Sequence, residues 1–132
     1  MIVADSSGIV DFLLESAPRA AWVLDRIEAD PNLHAPYLVD VEVVATLRRE
    51  VLRGVLSAGR ARTALDDFLG LAIRRYPHAP LLPRVWALRQ NLTTADALFV
   101  ALAEALDAPL ITTDARLGRA PGVGAEIIAF PG

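Results

Sequence analysis

Short apolar segments alternate along the chain with longer segments in which apolar residues recur every three to four positions. The short segments have the length of strands, the longer ones have the period of helices, and turn residues separate them. Short strands that are apolar throughout are typical of a parallel sheet with helices on both faces. The pattern therefore predicts a single α/β domain over residues 1–132. The predicted strands are Met1–Ala4, Leu33–Pro36, Leu71–Tyr76, Leu110–Asp114 and Glu126–Phe130.

The predicted helices between these strands begin at residues that can cap them. Ser6 or Ser7 is placed to cap the first helix, and Thr93 or Thr94 is placed to cap the most apolar one. The strand at Leu71–Tyr76 carries two arginines, which favours a short strand or a position at the edge of the sheet.

Helical spacing also predicts which side chains face the core and which face solvent. His34 and His78 are isolated, without the spacing of metal ligands, and are predicted to lie at the surface. Apolar positions predicted to face the core include Trp22, Leu24, Val44, Leu69 and Trp86.

The composition excludes several kinds of site. There is no cysteine, which excludes disulfides, thiolate metal sites and thiol catalysis. All 13 basic residues are arginine, so no lysine can form a Schiff base or serve a phosphate-binding loop. Walker, dinucleotide-binding and nucleophile-elbow motifs are also missing. With a formal net charge of -3, the chain lacks the excess of basic residues that many nucleic-acid binders have. The net charge neither supports nor excludes an RNA substrate.

The chain shows no sign of a membrane or secretory protein. No apolar run reaches the roughly 18 residues needed to cross a bilayer. The N-terminus lacks a basic region, an apolar stretch and a cleavage site in series, so no signal peptide is expected. A cytoplasmic location without membrane partners is the resulting expectation.

Four acids stand where the predicted fold would bring them together. Asp5 and Asp114 follow strands, whereas Glu42 and Asp96 lie at the starts of helices. Ligands of parallel α/β folds bind beyond the carboxyl ends of the strands, so all four are predicted to converge on one edge of the sheet. Carboxylates packed together repel one another and need protons, arginines or a cation. Oxygen ligands without histidine or cysteine favour Mg²⁺ or Mn²⁺, which can activate water for attack on a phosphodiester.

Each of these acids also has a purely structural interpretation. Asp96 and Glu42 fit first-turn acids favoured by the helix dipole, with Asp40 as the cap before Glu42. Asp5 and Asp114 fit turn acids that follow strands, and Asp114 also fits the cap of a short helix. In that alternative the acids are separate caps of an ordinary α/β domain, and the four carboxylates lie far apart.

Three neighbouring residues complete the candidate site. The hydroxyls of Ser7 and Thr112 each lie two residues from a candidate ligand and are predicted to hydrogen-bond the carboxylates, with capping as the alternative. Arg116 follows the last acid closely, and it either neutralises the acidic cluster or contacts a phosphate.

Four segments in series resemble the PIN domain, and most closely the VapC toxins of bacterial type II toxin–antitoxin modules. Their order and spacing match over essentially the whole chain. Ala115, Arg116 and Leu117 depart from the pattern, since some relatives carry a further Asp or Asn there, which bears on a second metal position. The matching segments are Ile2–Ser7, Asp40–Val43 leading to Leu47–Arg49, Thr94–Ala103 and Leu110–Asp114.

The resemblance implies a three-layer α/β/α fold with a central parallel sheet of roughly four to five short strands. It implies a Mg²⁺- or Mn²⁺-dependent endoribonuclease toxin that cleaves RNA and thereby blocks translation. Its partners would be an RNA substrate, a VapB-like antitoxin that holds it inactive, and a second copy of the chain in a homodimer. The alternative function is a PIN-like module that binds RNA or protein without cleaving. Carried over by position, the acidic set consists of Asp5, Glu42, Asp96 and Asp114, with Thr112 as a supporting hydroxyl.

Overall fold

The computed structural model describes all 132 residues, and five short strands lie at its centre. None of the helices is both long and apolar enough to cross a membrane. The strands are β1 (Ile2–Ala4), β2 (Leu33–Pro36), β3 (Ile73–Tyr76), β4 (Leu110–Thr112) and β5 (Ile127–Ala129). The helices are α1 (Ser6–Leu13), α2 (Arg19–Ala29), α3 (Leu38–Leu52), α4 (Ala58–Gly70), α5 (Leu82–Ala87), α6 (Thr94–Leu106) and α7 (Ala115–Gly118), with a 3₁₀ turn at Ala79–Leu81.

The strands form one parallel sheet in the order β3-β2-β1-β4-β5. Val3 of the central strand lies opposite His34 of β2 on one side and Leu110 of β4 on the other. Helices pack on both faces, which confirms the predicted three-layer α/β/α fold. The arginine-bearing strand β3 lies at the edge, as predicted. Because every strand points the same way, the carboxyl ends of β1, β2 and β4 meet at one edge of the sheet.

Helix α6 contributes most to the larger of two apolar clusters. Its seven consecutive residues Ala97–Ala103 are all buried, as expected for a helix that is apolar on every side. Val3 of β1 belongs to the same cluster. Its neighbour Ile2 joins Leu33 and Ile111 in the smaller cluster, since successive side chains of a strand point to opposite faces. Both faces of the sheet are therefore dry, and the position of α6 is determined by packing along most of its length.

Part of the predicted core is wrong in detail. In α2 the neighbouring Val23 is buried instead. In α4 the residues Ala64 and Phe68 are buried, as helical spacing predicts, whereas Leu69 is not. In a chain that is 54% hydrophobic, several faces of one helix look apolar, so spacing alone does not determine which face turns inward. Trp22 is half-buried, with its ring edge-on to Phe130. The misassigned residues Leu24, Val44, Leu69 and Trp86 are 39%, 47%, 68% and 68% exposed.

The prediction that both histidines lie at the surface is also wrong. His34 is buried in β2, with Nδ1 2.6 Å from the Tyr76 hydroxyl and Nε2 2.9 Å from Asn32 Oδ1. Burial lowers the pKa of His34, so the neutral ring is favoured. His78 is half-buried, and its Nε2 accepts a hydrogen bond from the Leu38 backbone N–H at 2.9 Å. Both rings therefore satisfy polar groups of the fold and lie away from the acidic residues.

Replacement of Leu102 by alanine tests whether the stability of the fold depends on the buried apolar side chains of α6. Leu102 is 2% exposed, so Leu102→Ala should lower the free energy of unfolding by about 2–5 kcal/mol. The matched control Leu69→Ala changes a leucine that is 68% exposed and should alter that free energy by less than about 0.5 kcal/mol. Urea denaturation followed by circular dichroism measures both. Equal losses in the two variants would contradict the assigned core.

Candidate active site

Asp5 lies directly after β1 and is the N-cap of α1. Its Oδ1 accepts hydrogen bonds from the Gly8 backbone N–H and the Ser7 hydroxyl, both at 2.9 Å. The prediction that Ser6 or Ser7 caps this helix is therefore wrong, since the acid itself takes that position. Ser7 instead supports the carboxylate, as the sequence pattern predicted.

The second oxygen of Asp5 is held from the neighbouring strand. Thr112, the last residue of β4, is fully buried and donates its hydroxyl hydrogen bond to Asp5 Oδ2. Asp5 itself is only 6% exposed, and this burial raises its pKa from 3.8 to about 6. The hydrogen bonds from Thr112, Gly8 and Ser7 oppose that rise, while the charge of Asp96 adds to it. Burial therefore disfavours the charged form of Asp5, and three donors hold its carboxylate in one orientation.

Glu42 lies in the second turn of α3, because that helix begins already at Leu38. Asp40 is consequently a first-turn residue and not the cap, contrary to the structural alternative, and it pairs with Arg75 at 2.8 Å. The Ser6 hydroxyl donates a 2.7 Å hydrogen bond to Glu42 Oε1. This contact ties the start of α1 to α3 and orients the Glu42 carboxylate toward the end of β1.

Asp96 occupies the first turn of α6. The hydroxyl of the cap residue Thr93 accepts a hydrogen bond from the Asp96 backbone N–H at 3.2 Å, as the capping interpretation predicted. The Asp96 carboxylate is half-buried, yet neither a hydrogen-bond donor nor an ion-pair partner contacts it. Packing of the apolar turns behind it, together with the cap, therefore holds a carboxylate that is free to bind a ligand.

Asp114 caps the short helix α7, accepting a 2.9 Å hydrogen bond from the Arg116 backbone N–H. The Arg116 guanidinium also reaches Asp114 Oδ2 at 3.0 Å, and these contacts hold the pKa of Asp114 below its usual range. The Asp114 N–H in turn donates to the Thr112 hydroxyl oxygen at 2.9 Å. Thr112 therefore joins the loop of Asp114 to Asp5, and Arg116 neutralises part of the acidic charge.

All four predicted acids line one cavity of about 460 Å³ at the carboxyl edge of the sheet. Ser7 and Arg116 line it too, so the structure places two of the three supporting residues at its wall and Thr112 just behind. The side chains stand apart within the cavity, since no three of them are close enough to hold one ion between them. The structural alternative of distant acids fails, although Asp5 and Asp114 do cap helices. The acids that share the cavity are Asp5, Glu42, Asp96 and Asp114.

Two further charged residues line this cavity beyond the predicted set. Asp11 lies at the cavity wall and accepts a 2.7 Å hydrogen bond from the Thr113 hydroxyl. It lies four residues after Ser7, so helical spacing would have placed both on one face of α1. Arg49 lies two turns after Glu42 on α3 and also lines the cavity. The same helical spacing was the available signal for Arg49.

The side chains that line the cavity offer only oxygen ligands to a cation. Five carboxylates and several hydroxyls line it, and no histidine does. Such a donor set suits Mg²⁺ or Mn²⁺ better than zinc. Mg²⁺ typically binds one or two carboxylates and keeps several waters. Carboxylates that stand apart therefore suit Mg²⁺ better than a cation that must be surrounded by protein ligands.

Comparison with known proteins agrees with the fold. The family model of the PIN domain matches residues 2–123. Ribonuclease VapC1 of Mycobacterium tuberculosis is 46% identical over 126 residues, which cover 95% of this chain and 94% of that protein. Ribonuclease VapC12 of the same organism is 41% identical over 127 residues, which cover 96% and 97%. A chain of the VapBC2 structure from Rickettsia felis, bound to a DNA fragment from their promoter, shares the fold with a TM-score of 0.71 at 17% identity, covering 98% and 99%.

The raised pKa of Asp5 predicts a stability that depends on pH. The folded chain binds the Asp5 proton more tightly than the unfolded chain does, so this contribution is present at low pH and is lost as the pH rises through about 6. In EDTA at neutral pH, Asp5→Asn should raise the free energy of unfolding by at most about 3 kcal/mol, because asparagine avoids the buried charge. Asparagine can still accept from Gly8 and can donate to Thr112.

Urea denaturation between pH 4 and pH 8, with buffers chosen to bracket the shifted pKa of about 6, measures the effect. The difference between Asp5→Asn and the parent should shrink as the pH falls. Asp25→Asn, at an exposed position of α2, should show no such trend. A variant that is less stable than the parent at every pH would contradict the burial argument.

Proposed function

The chain belongs to the PIN-domain family, and we propose from this that its acidic cavity cleaves RNA as a metal-dependent endoribonuclease. One observation carries the proposal: four carboxylates of the cavity have hydrogen-bonding partners, whereas that of Asp96 has none. A half-buried acid without a partner, in a cavity with a net excess of carboxylates, favours the binding of a cation. Relatives that are named ribonucleases and align with nearly the whole chain support RNA as the substrate.

Mg²⁺ or Mn²⁺ is the proposed cofactor, with Asp96 as the principal ligand and Asp5, Glu42 and Asp114 as the remaining candidates. When bound, such an ion supplies charge neutralisation for the phosphodiester and lowers the pKa of an attacking water. Asp5 keeps room for a ligand, since its two oxygens accept three hydrogen bonds and a carboxylate offers roughly four acceptor positions. Asp114 is the weakest of the candidates, because Arg116 already engages both of its oxygens.

The chain's own groups would orient the reactants and accept the proton. We assign Glu42 the role of general base: water attacks the phosphorus, its proton passes to the Glu42 carboxylate, one ester P–O bond breaks, and the leaving ribose oxygen takes up a proton from solvent. The Ser6 hydroxyl binds Glu42 Oε1 at 2.7 Å, which leaves Oε2 for the proton. Thr112 and Ser7 keep Asp5 in place during the reaction. Arg49 at the cavity wall has only a loose 3.8 Å pairing with Glu50, so it can contact a phosphate oxygen.

We further propose that the protein acts as the toxin of a toxin–antitoxin pair and forms a homodimer. The exposed apolar side chains of α3 and the turn after it support contact with protein partners, because patches of this kind are unusual on monomers. Structural likeness to VapBC2, although it concerns the fold, is consistent with a VapB-like antitoxin. Size-exclusion chromatography with light scattering, with and without a co-expressed antitoxin, measures both associations. The side chains concerned are Val41, Val44, Leu52 and Val55, at 65%, 47%, 67% and 67% exposure.

Asp96→Asn and Glu42→Gln should each reduce RNA cleavage by at least about 100-fold, since one removes the free ligand and the other the base. Both substitutions preserve size, so the thermal transition should stay cooperative. Cleavage of total RNA is followed by gel electrophoresis, and sequencing of the new RNA ends identifies the target. EDTA should stop cleavage by the parent, and added Mn²⁺ should restore it.

Asp66→Asn is the matched control, because Asp66 lies on the exposed side of α4, paired with Arg62 and far from the acidic cavity. It should cleave like the parent. Full cleavage by both Asp96→Asn and Glu42→Gln would refute the assignment of the site. RNA binding by the parent without metal-dependent cleavage would instead favour a binding module of the same fold.

A further inference from the structure

We infer that a second cavity beside the acidic one is a subsite for the RNA phosphate that neighbours the scissile bond, with Arg119 as its phosphate-binding residue. The inference rests on the proposed function and adds a positioning site to it. This second cavity, here called the arginine cavity, measures about 270 Å³. Its polar walls are formed by Asn91, Thr93, Asp96, Arg116 and Arg119.

The arginine cavity is continuous with the acidic cavity. Asp96 and Arg116 line both of them, so the free carboxylate stands at the boundary between the two. An RNA strand whose scissile phosphate lies at Asp96 must run on past this boundary in one direction or the other. The arginine cavity begins at that point, because Asp96 and Arg116 belong to its lining as well.

The two cavities have opposite charge. Five carboxylates and two guanidinium groups line the acidic cavity, whereas two guanidinium groups and one carboxylate line the arginine cavity. Arg116 is already paired with Asp114. Arg119 is exposed and takes part in none of the ion pairs of the chain. Its fork of N–H donors is therefore available for a phosphate, which it can bind through two parallel hydrogen bonds.

Close packing holds the arginine-bearing side of this cavity in place. Helix α7 lies so near β5 that a Cβ atom at Gly118 would stand 2.9 Å from the Ala129 Cβ atom. Only glycine permits that approach without a shift of the backbone. Arg116 and Arg119 are three residues apart at this pinned turn, so they project to the same side. The Arg119 N–H also bonds the Arg116 carbonyl at 3.1 Å, which continues the turn to Arg119.

An ion pair holds the opposite side. Arg84 binds both carboxylate oxygens of Glu104, at 2.6 and 3.0 Å, and also donates to the Gly122 carbonyl at 2.9 Å. Glu104 accepts a further hydrogen bond from the Gly124 N–H at 2.6 Å. The loop between Pro121 and Gly124 is thereby fastened to α5 and α6.

The fastened loop lies beside the amide of Asn91. Gly122 has φ +76, and a Cβ atom there would stand 2.8 Å from Asn91 Nδ2, so both its conformation and its contact call for glycine. The Asn91 amide offers two donors and one acceptor that can contact ribose or base edges of the adjoining nucleotide. The cavity therefore places an unpaired guanidinium and an amide on its walls, which suits a nucleotide better than a free metal or an acidic peptide.

Arg119→Ala tests the subsite directly, with Arg119→Lys retaining the charge and Arg62→Ala as the matched control. Arg62 is an exposed arginine on α4 that lines neither cavity. Binding of a short fluorescein-labelled oligouridylate is measured by anisotropy in Mg²⁺, with Glu42→Gln in every protein so that the RNA stays intact. Arg119→Ala should weaken binding about tenfold and reduce the slope of log affinity against log salt by about 0.7, as expected for one lost phosphate contact.

Arg119→Lys should recover most of that affinity, and Arg62→Ala should change neither quantity. In proteins with native Glu42, Arg119→Ala should raise KM by about tenfold while kcat changes by less than about twofold, since the contact is made before and during the reaction alike. Equal RNA affinity for Arg119→Ala and its parent at every salt concentration would overturn the subsite. If the native chain cleaves no RNA but the Arg119 effect on binding persists, the nuclease proposal fails and the subsite stands.

Discussion

The hydrogen bond from Thr112 to Asp5 is the contact on which the candidate site depends. It joins β4 to the end of β1 within the core, and the same hydroxyl oxygen accepts from the N–H of Asp114. One buried threonine therefore sets the positions of two acids that are more than a hundred residues apart in sequence. A valine of the same shape would fill the space, but it would leave the buried Oδ2 of Asp5 and the Asp114 N–H without a partner.

The acids of the cavity are held in two different ways. Hydrogen bonds from Ser7, Gly8 and Thr112 orient Asp5 and stabilise its charged form, which burial still disfavours because little water reaches it. Asp96 is held by packing, since the buried residues Ala97–Ala103 place α6 against the sheet and Thr93 caps its first turn. Packing leaves the carboxylate oxygens of Asp96 without hydrogen bonds. The same cavity therefore contains Asp5, which hydrogen bonds hold in place, and Asp96, which is open to a ligand. The high apolar content of α6 is thus a requirement of the site as well as of the fold.

The strands and the convergence of the acids could be predicted because they follow from local rules. Apolar runs bounded by turn residues defined the strands, and parallel topology brings their carboxyl ends together whatever the loops do. The inward faces of α2 and α4 could be predicted only in part: Leu24 and Leu69 are exposed although their neighbours Val23 and Phe68 are buried. Buried His34 contacts Tyr76 in the neighbouring strand β3, 42 residues later in the sequence, and no local pattern reveals that partner.

The distribution of charge explains why composition was uninformative about nucleic acid. The chain carries a net charge of -3, yet five of its 16 acids line one cavity, where a bound cation would neutralise part of their charge. Immediately beside it, Arg116 and Arg119 outnumber the single acid Asp96. A phosphodiester strand is itself a row of negative charges, so it needs a cation at the scissile phosphate and arginines at the next one. The carboxylates that would hold such a cation and the arginines that would bind the next phosphate line two cavities that share Asp96, a local separation of charge that a sum over the whole chain conceals.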